Sequence, residues 1–187
     1  MIIDSHAHIY PDKLARKAAR SIGDFYDIDM DLDGTVDMLL KVGDEAGVDK
    51  FLVHSVATTP HQVRSINSFI AKSVSEHPDR FIGFATLHPG CGDEIPEIVD
   101  EAIELGLSGI KLHPDFQEFD IDALEAMRMY EVLEGRLPIL FHTGDYRTQY
   151  SKPTKIIKRP RKVPKSRHNR GAFRRMVGMG LRLKGAF

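Results

Sequence analysis

Cysteine, tryptophan and long apolar runs are scarce or missing in this sequence. Its 187 residues include one cysteine, Cys91, so neither an internal disulfide nor a thiolate-rich metal site can form. Any metal ion would have to be held by histidine and carboxylate side chains. No apolar run approaches the roughly 18–20 residues that cross a bilayer, and the first residues lack the basic start and apolar core of a signal peptide. We therefore expect a cytoplasmic protein with no membrane partner.

Acidic residues are missing from the last part of the chain. Residues 1–150 hold 13 basic and all 27 acidic residues, a formal charge of −14, whereas residues 151–187 hold 13 basic residues and no acid, a charge of +13. A basic tail on an acidic domain is typical of an arm that binds nucleic acid or another polyanion. The rest of the composition, with 42% hydrophobic and 28% charged residues, is that of one ordinary globular domain.

Short β-branched or aromatic runs alternate with amphipathic helical stretches up to about residue 150. This alternation is typical of βα units around a parallel sheet. The predicted strands are 1–8, 50–57, 80–89, 109–114 and 138–144. The predicted helices lie near 11–21, 35–46, 61–76, 94–105 and 122–134.

Histidines occur at or near the end of every predicted strand. They are His8, His54, His88, His113 and His142. In the first strand His6 and His8 share one face, since side chains alternate along a strand, and two imidazoles therefore converge there. The carboxyl ends of parallel strands lie on one side of the sheet, which in a βα-barrel carries the active site. The pattern predicts a histidine-rich site at this end.

Three motifs, in this order and at these separations, resemble the metal-dependent amidohydrolases. They are IDSHAHIYP at 3–11, GIKLHP at 109–114 and ILFHTGDY at 139–146. The similarity covers residues 1–158 and points to the branch that includes aminocarboxymuconate-semialdehyde decarboxylase. It implies a (β/α)8 TIM barrel, of which about five βα units are present in this chain.

The resemblance also implies the site residues and the cofactor. His6, His8 and His142 would bind one divalent metal ion, usually zinc, with manganese or iron as alternatives, and His113 would contact the substrate. Neutral imidazoles bind such ions at about 2.0–2.1 Å, and the ion activates water or polarises a substrate carbonyl. Either use serves hydrolysis or decarboxylation of a small carboxylated substrate.

Several other polar residues have simpler interpretations. We expect His54 and His88 to cap their strands by bonding to nearby backbone. Asp145 is either an orienting partner of the fifth-strand site or a turn residue. The acidic run at 27–34 resembles a calcium loop but has Leu40 where that loop requires glutamate, so we expect a solvated loop or a lid over the strand ends.

The family pattern fails after Lys158. A complete barrel needs about 250 residues and eight strands, and residues 159–187 contain neither the sixth-strand histidine motif nor the late aspartate expected in this branch. Reading this tail one base later forces tryptophan at Met176 and Met179 and permits AHFGGW, which resembles the missing motif. We therefore predict a frameshift near Lys158, with the N-terminal part of a barrel over residues 1–158 and an irregular, out-of-frame basic tail over residues 159–187.

Together these features predict a metal-dependent hydrolase or decarboxylase that is impaired in this chain. Catalytic groups from the missing strands cannot be named. An incomplete sheet exposes strand edges, so homo-oligomers are an expected outcome. The alternative is a non-enzymatic fragment whose basic tail binds nucleic acid or other polyanions nonspecifically. We expect no specific nucleic acid partner, because the arginine-rich tail is what out-of-frame coding produces.

Overall fold

The structure, a computed structural model, describes residues 1–157 and 176–179. Strands and helices alternate along this part of the chain, in which no helix has the length and apolar character needed to cross a membrane. The strands are β1 (Ile3–His8), β2 (Lys50–His54), β3 (Phe81–Gly83), β4 (Ala85–Thr86), β5 (Ile110–Leu112), β6 (Ile139–His142) and β7 (Met176–Met179). The helices are α1 (Asp12–Tyr26), α2 (Val36–Ala46), α3 (Val63–Glu76), α4 (Ile95–Glu104), α5 (Pro114–Gln117), α6 (Leu124–Leu133) and α7 (Pro153–Ile157).

The strands form two parallel sheets, in the orders β1-β2-β3 and β4-β5-β6-β7. Phe84 lies where the chain passes from one sheet to the other. Its backbone N–H donates to the carbonyl of Val53 at 3.0 Å, and the next N–H, of Ala85, donates to the carbonyl of Gly109 at 2.8 Å. The predicted single strand over 80–89 is therefore wrong in detail, because the backbone changes partner from β2 to β5 within it.

Each predicted helix is present, with its ends moved by a few residues. In α2, for example, the Thr35 side chain accepts the Met38 N–H at 3.3 Å and caps the first turn, and Gly47 ends the helix with φ of +69°. The short helix α5, which directly follows β5, was not predicted from the sequence. Proline at its first position fits a helix start, because proline has no N–H to leave unpaired there.

The hydrophobic core lies between the strands and the inner faces of α3, α4 and α6. Its fully buried members include Leu87, Leu112 and Met129. A reciprocal pair of hydrogen bonds ties α3 to β4: Asn67 Nδ2 donates to the Thr86 carbonyl at 3.2 Å, and the Thr86 N–H donates to Asn67 Oδ1 at 2.8 Å. The strand ends that carry the histidines are thus anchored to the helical layer.

This architecture is part of a (β/α)8 barrel and confirms the predicted fold class. One short element falls within the tail that the sequence predicts to be irregular. The backbone of β7 pairs in parallel with β6, with Met176 opposite Ile139, because a free strand edge offers unpaired N–H and C=O groups to any extended segment. Residues 176–179 therefore form a strand within the tail predicted to be irregular. Residues 158–175 and 180–187, and with them the predicted frameshift, lie outside the described residues.

Candidate metal centre and active-site cavity

A cavity of about 690 Å³ opens at the carboxyl ends of β1, β5 and β6. Its walls contain all four of the site residues predicted from the sequence: His6, His8, His113 and His142. The side chains of Ile28, Met30 and Leu32, which alternate with aspartates in the acidic run, line another part of it. That run therefore presents apolar side chains to the cavity, as a lid over the strand ends would.

Three imidazoles meet at the ends of β1 and β2. The ligand nitrogens of His6, His8 and His54 all lie within 4.8 Å of one another. The His54 ring centroid is 4.7 Å from that of His6 and 4.5 Å from that of His8. The Tyr10 hydroxyl is 3.4 Å from His8 Nδ1, which leaves Nε2 of His8 for another ligand.

The expectation that His54 caps its strand is wrong. His54 is completely buried, and neither of its ring nitrogens has a hydrogen-bond partner among the described residues. Burial lowers the pKa of His54 well below the usual value, so its ring is neutral at pH 7. The same expectation for His88 is confirmed, because His88 Nδ1 accepts the Gly90 N–H at 3.0 Å.

His113 and His142 form a second group, joined by a tyrosine that sequence reasoning missed. The Tyr26 hydroxyl, at the end of α1, lies 2.9 Å from His113 Nε2 and 3.0 Å from His142 Nε2. Since His113 Nδ1 accepts the Phe116 N–H at 3.3 Å, the proton of neutral His113 resides on Nε2 and is donated to Tyr26. The Tyr26 hydroxyl then donates to His142 Nε2, which places the proton of neutral His142 on Nδ1.

The second group is also stacked. The ring of His113 lies between those of Phe116 and His142, with centroid distances of 3.9 and 4.0 Å and planes within 7° of parallel. Gln117 fixes the backbone beneath this stack. Its Oε1 accepts the His113 N–H at 2.9 Å, and its Nε2 donates to the carbonyls of Ala57 and Leu87 at 2.9 and 2.7 Å. One buried amide therefore links the segments that follow β2, β4 and β5.

Arg147 connects the loop after β6 to the end of α1. Its guanidinium lies 4.3 Å from the Phe25 ring centroid and 4.9 Å from that of Tyr26, and it donates to the Phe25 carbonyl. Asp145 pairs with it at 2.6 Å. Asp145 also accepts the Arg147 backbone N–H at 2.9 Å, as a turn residue does, and any orienting effect on the histidines would pass through Arg147 and Tyr26. No direct hydrogen bond joins Asp145 to His142 in the part of the chain described.

A lysine is buried near the histidines. Lys111, on β5, is fully buried, and its Nζ has no partner among residues 1–157. Burial lowers its pKa to about 7. Burial, and then the charge of Lys111, lower the pKa of His6 and of His142 to about 4. The histidines are thus neutral near pH 7, the state in which imidazole binds a metal ion.

The described residues suit a divalent ion, because they offer imidazole nitrogens and several of these have no hydrogen-bond partner. Nδ1 of His6 and both ring nitrogens of His54 are buried without hydrogen-bond partners, and an ion would take up the one lone pair that each neutral ring offers. His142 faces the same cavity but belongs to the Tyr26 group, and it is not among the three mutually close histidines. The residues that sequence analysis missed at the site are Tyr26, Lys111 and Gln117, and for His54 it named the strand end but expected a bond to backbone.

Comparisons with known proteins give a consistent family and fold. The family model described as Amidohydrolase matches residues 3–169. No curated protein matches the chain. Among solved structures, 5-carboxyvanillate decarboxylase from Sphingomonas paucimobilis has a TM-score of 0.59 at 19% identity, over 76% of this chain and 51% of its own.

Two further solved structures extend the comparison. The 5-carboxyvanillate decarboxylase from Novosphingobium aromaticivorans, complexed with manganese and 4-hydroxy-3-methoxy-5-nitrobenzoic acid, has a TM-score of 0.59 at 17% identity, over 77% of this chain and 50% of its own. The 4-oxalomesaconate hydratase from Rhodopseudomonas palustris has a TM-score of 0.54 at 22% identity, over 76% and 52%. The chain thus spans about half the length of the structures that it resembles.

The family resemblance inferred from the motifs is confirmed by this match, which covers most of the chain and contains all three motifs. The matched structures share the parallel βα arrangement, and the histidines of the motifs lie where the strands end. The chain belongs to the amidohydrolase family.

Proposed function

We propose that this chain is part of a metal-dependent enzyme that decarboxylates or hydrolyses a small carboxylated aromatic substrate. The observation that carries the proposal is the placement of His6, His8, His113 and His142 around one cavity. Solved structures of similar fold include decarboxylases of aromatic acids, and two of these enzymes were crystallised with manganese. We therefore treat manganese and zinc as equal candidates for the ion, with iron as a further alternative.

Three histidines of the chain have metal-binding roles in the proposed site. His6 and His8 would hold the divalent ion, with His142 as the third ligand that the family pattern implies. When bound, such an ion acts as a Lewis acid on a substrate oxygen. For His142 to bind through Nε2, that atom would have to exchange its contact with the Tyr26 hydroxyl for the ion.

The cavity offers complementary groups to an aromatic carboxylate. The rings of Tyr26, Phe116 and His113 present flat surfaces on which an aromatic substrate can stack. In its protonated form Lys111 would add positive charge near the histidines, which favours an anionic substrate over a neutral one. We place His113 against the substrate, as the sequence predicts.

Decarboxylation requires a proton at the carbon that loses carbon dioxide. The bond from that carbon to the carboxylate breaks, carbon dioxide leaves, and the carbon takes up a proton in its place. When His142 Nε2 turns to the ion, the Tyr26 hydroxyl and His113 Nε2, 2.9 Å apart, would remain to pass a proton from solvent to this carbon. Hydrolysis would use the same pair to move a proton from water.

Activity assays on two forms of the protein test this proposal. The 187-residue chain and a chain with the downstream frame restored after Lys158 are loaded with manganese or zinc. Both are assayed for carbon dioxide release from hydroxylated benzoates and for hydrolysis of small esters and lactones. We expect turnover by the frame-restored chain that is lost with His6→Ala and reduced with His113→Ala.

The 187-residue chain should be at least about 10²-fold slower, since loss of positioned acid–base groups costs 10²–10⁴ in rate. Turnover that survives both a chelator and His6→Ala would contradict the metal-dependent mechanism. Turnover by the 187-residue chain equal to that of the frame-restored chain would contradict the proposed impairment.

A further inference from the structure

The register of the first two strands places His54 beside His8. His8 and His54 are direct partners in the parallel pairing of β1 and β2. The backbone also joins there, since the Ile9 N–H donates to the His54 carbonyl at 3.4 Å. The position of the His54 ring next to the His6–His8 pair is therefore set by strand pairing.

His54 has two ring nitrogens with unmet bonding capacity in this position. The residue is completely buried, and neither nitrogen has a hydrogen-bond partner in the described part of the chain. A buried polar group left in this state costs about 1–3 kcal/mol. A leucine or phenylalanine would avoid that cost at a purely structural position, so a ligand for the imidazole is the simplest account of a histidine here.

We propose that His54 is an additional ligand of the divalent ion that His6 and His8 bind. This inference rests on the metal centre of the proposed function and extends it. Two nitrogens bound to one ion in tetrahedral geometry lie about 3.4 Å apart. The nitrogens of these histidines already lie within 4.8 Å of one another, so modest ring movements bring them to one ion.

His54 and His142 differ in what metal binding requires of them. His142 Nε2 has the Tyr26 hydroxyl at 3.0 Å and must exchange that contact to bind an ion. His54 has no hydrogen bond of its ring to exchange. The neutral imidazoles of His6, His8 and His54 would leave the ion its full positive charge. That arrangement suits a carboxylate ligand.

Metal titration of the full chain and of matched variants tests the inference. The affinity for Mn²⁺ and Co²⁺ is measured by calorimetry, and the visible absorption of bound Co²⁺ reports the ligand set. His54→Phe keeps a flat ring and removes both nitrogens, and His88→Phe makes the same change at a strand-end histidine outside the cavity. We expect His54→Phe to weaken binding at least tenfold and to change the Co²⁺ spectrum, because even partners of metal ligands contribute about 10–100-fold.

The variants separate this inference from the proposed function. Wild-type affinity and an unchanged Co²⁺ spectrum in His54→Phe would overturn the role of His54, even if His6→Phe abolished binding and so upheld the metal centre. Wild-type affinity in His6→Phe and His8→Phe would overturn the metal centre itself. The melting temperature of metal-free His54→Phe should equal or exceed that of wild type, since the change removes two unpaired buried nitrogens.

A measurement on the unmodified protein covers the case in which His54→Phe does not fold. Long-range ¹H–¹⁵N spectra of the histidine rings are recorded before and after addition of Zn²⁺. We expect a His54 ring nitrogen to shift on metal binding together with those of His6 and His8. A His54 signal that stays unchanged while the His6 and His8 signals shift would overturn the inference.

Discussion

The hydroxyl of Tyr26 lies 3.0 Å from Nε2 of His142, although 116 residues separate them in the chain. The same hydroxyl lies 2.9 Å from Nε2 of His113. One side chain at the end of α1 therefore links the imidazole that follows β5 to the one that ends β6. Together with the Phe116 N–H that is bonded to His113 Nδ1, it fixes which nitrogen of each neutral ring carries the proton.

Replacing Tyr26 with phenylalanine should destabilise the protein. The substitution leaves the Nε2–H of His113 and the lone pair of His142 Nε2 without a partner, at a cost of about 1–3 kcal/mol. The ring contact with Arg147 is kept. Urea unfolding of the metal-free protein measures the change, with Tyr146→Phe, at an exposed tyrosine, as the control. Equal stabilities for Tyr26→Phe and wild type would show that the hydroxyl contributes nothing to the fold.

Replacing Gln117 with leucine should be more damaging. Three hydrogen bonds are lost, to the Ala57 and Leu87 carbonyls and from the His113 N–H, and the backbone groups left behind are buried. We expect a loss of about 2–4 kcal/mol in the free energy of unfolding. The change should also weaken substrate binding by His113. Gln149→Leu, at an exposed glutamine, serves as the control and should behave like wild type in denaturant unfolding.

Lys111 should make the stability of the metal-free protein depend on pH above neutrality. Its pKa is about 7 in the folded protein and 10.5 when unperturbed. Between these values the unfolded chain binds more protons than the folded one, so stability rises with pH. Lys111→Met removes this contribution. The free energy of unfolding of the variant should exceed that of wild type. The difference, or margin, should be largest at pH 7 and should shrink towards pH 10.5.

Unfolding curves at several pH values between 7 and 10.5 measure that margin. Lys72→Met, which removes an exposed lysine, serves as the control. A stability difference between Lys111→Met and wild type that does not change with pH would mean that the Lys111 amino group is not desolvated as the structure indicates.

Local patterns in the sequence were sufficient to predict the helices and the strand ends. The helices follow local signals. These are the spacing of hydrophobic residues and, for α2, Thr35 at its start and Gly47 at its end. The positions of His6 and His8 on one face of β1 also follow from strand geometry alone. For this reason the histidine-lined end of the barrel could be placed before the structure was known.

Features that depend on pairing between strands could not be predicted in the same way. His54 and His88 both follow strands, yet the β1–β2 register sets His54 against His8, while His88 turns to its own loop. The role of Tyr26 requires α1 to end over β6, which no local period encodes. The Phe84 ring packs where a Cβ at Gly109 would lie, 2.5 Å away, a contact between distant segments that no local pattern predicts.

The stoichiometry of metal binding tests the proposed centre most directly. The full chain, freed of metal by a chelator, is titrated with Mn²⁺ or Zn²⁺ by calorimetry, alongside His6→Ala, His8→Ala and the control His88→Ala. We expect one ion per chain for wild type and His88→Ala, and no saturable binding for His6→Ala or His8→Ala. Binding of one ion per chain with the same affinity in all four proteins would contradict a metal centre at these histidines.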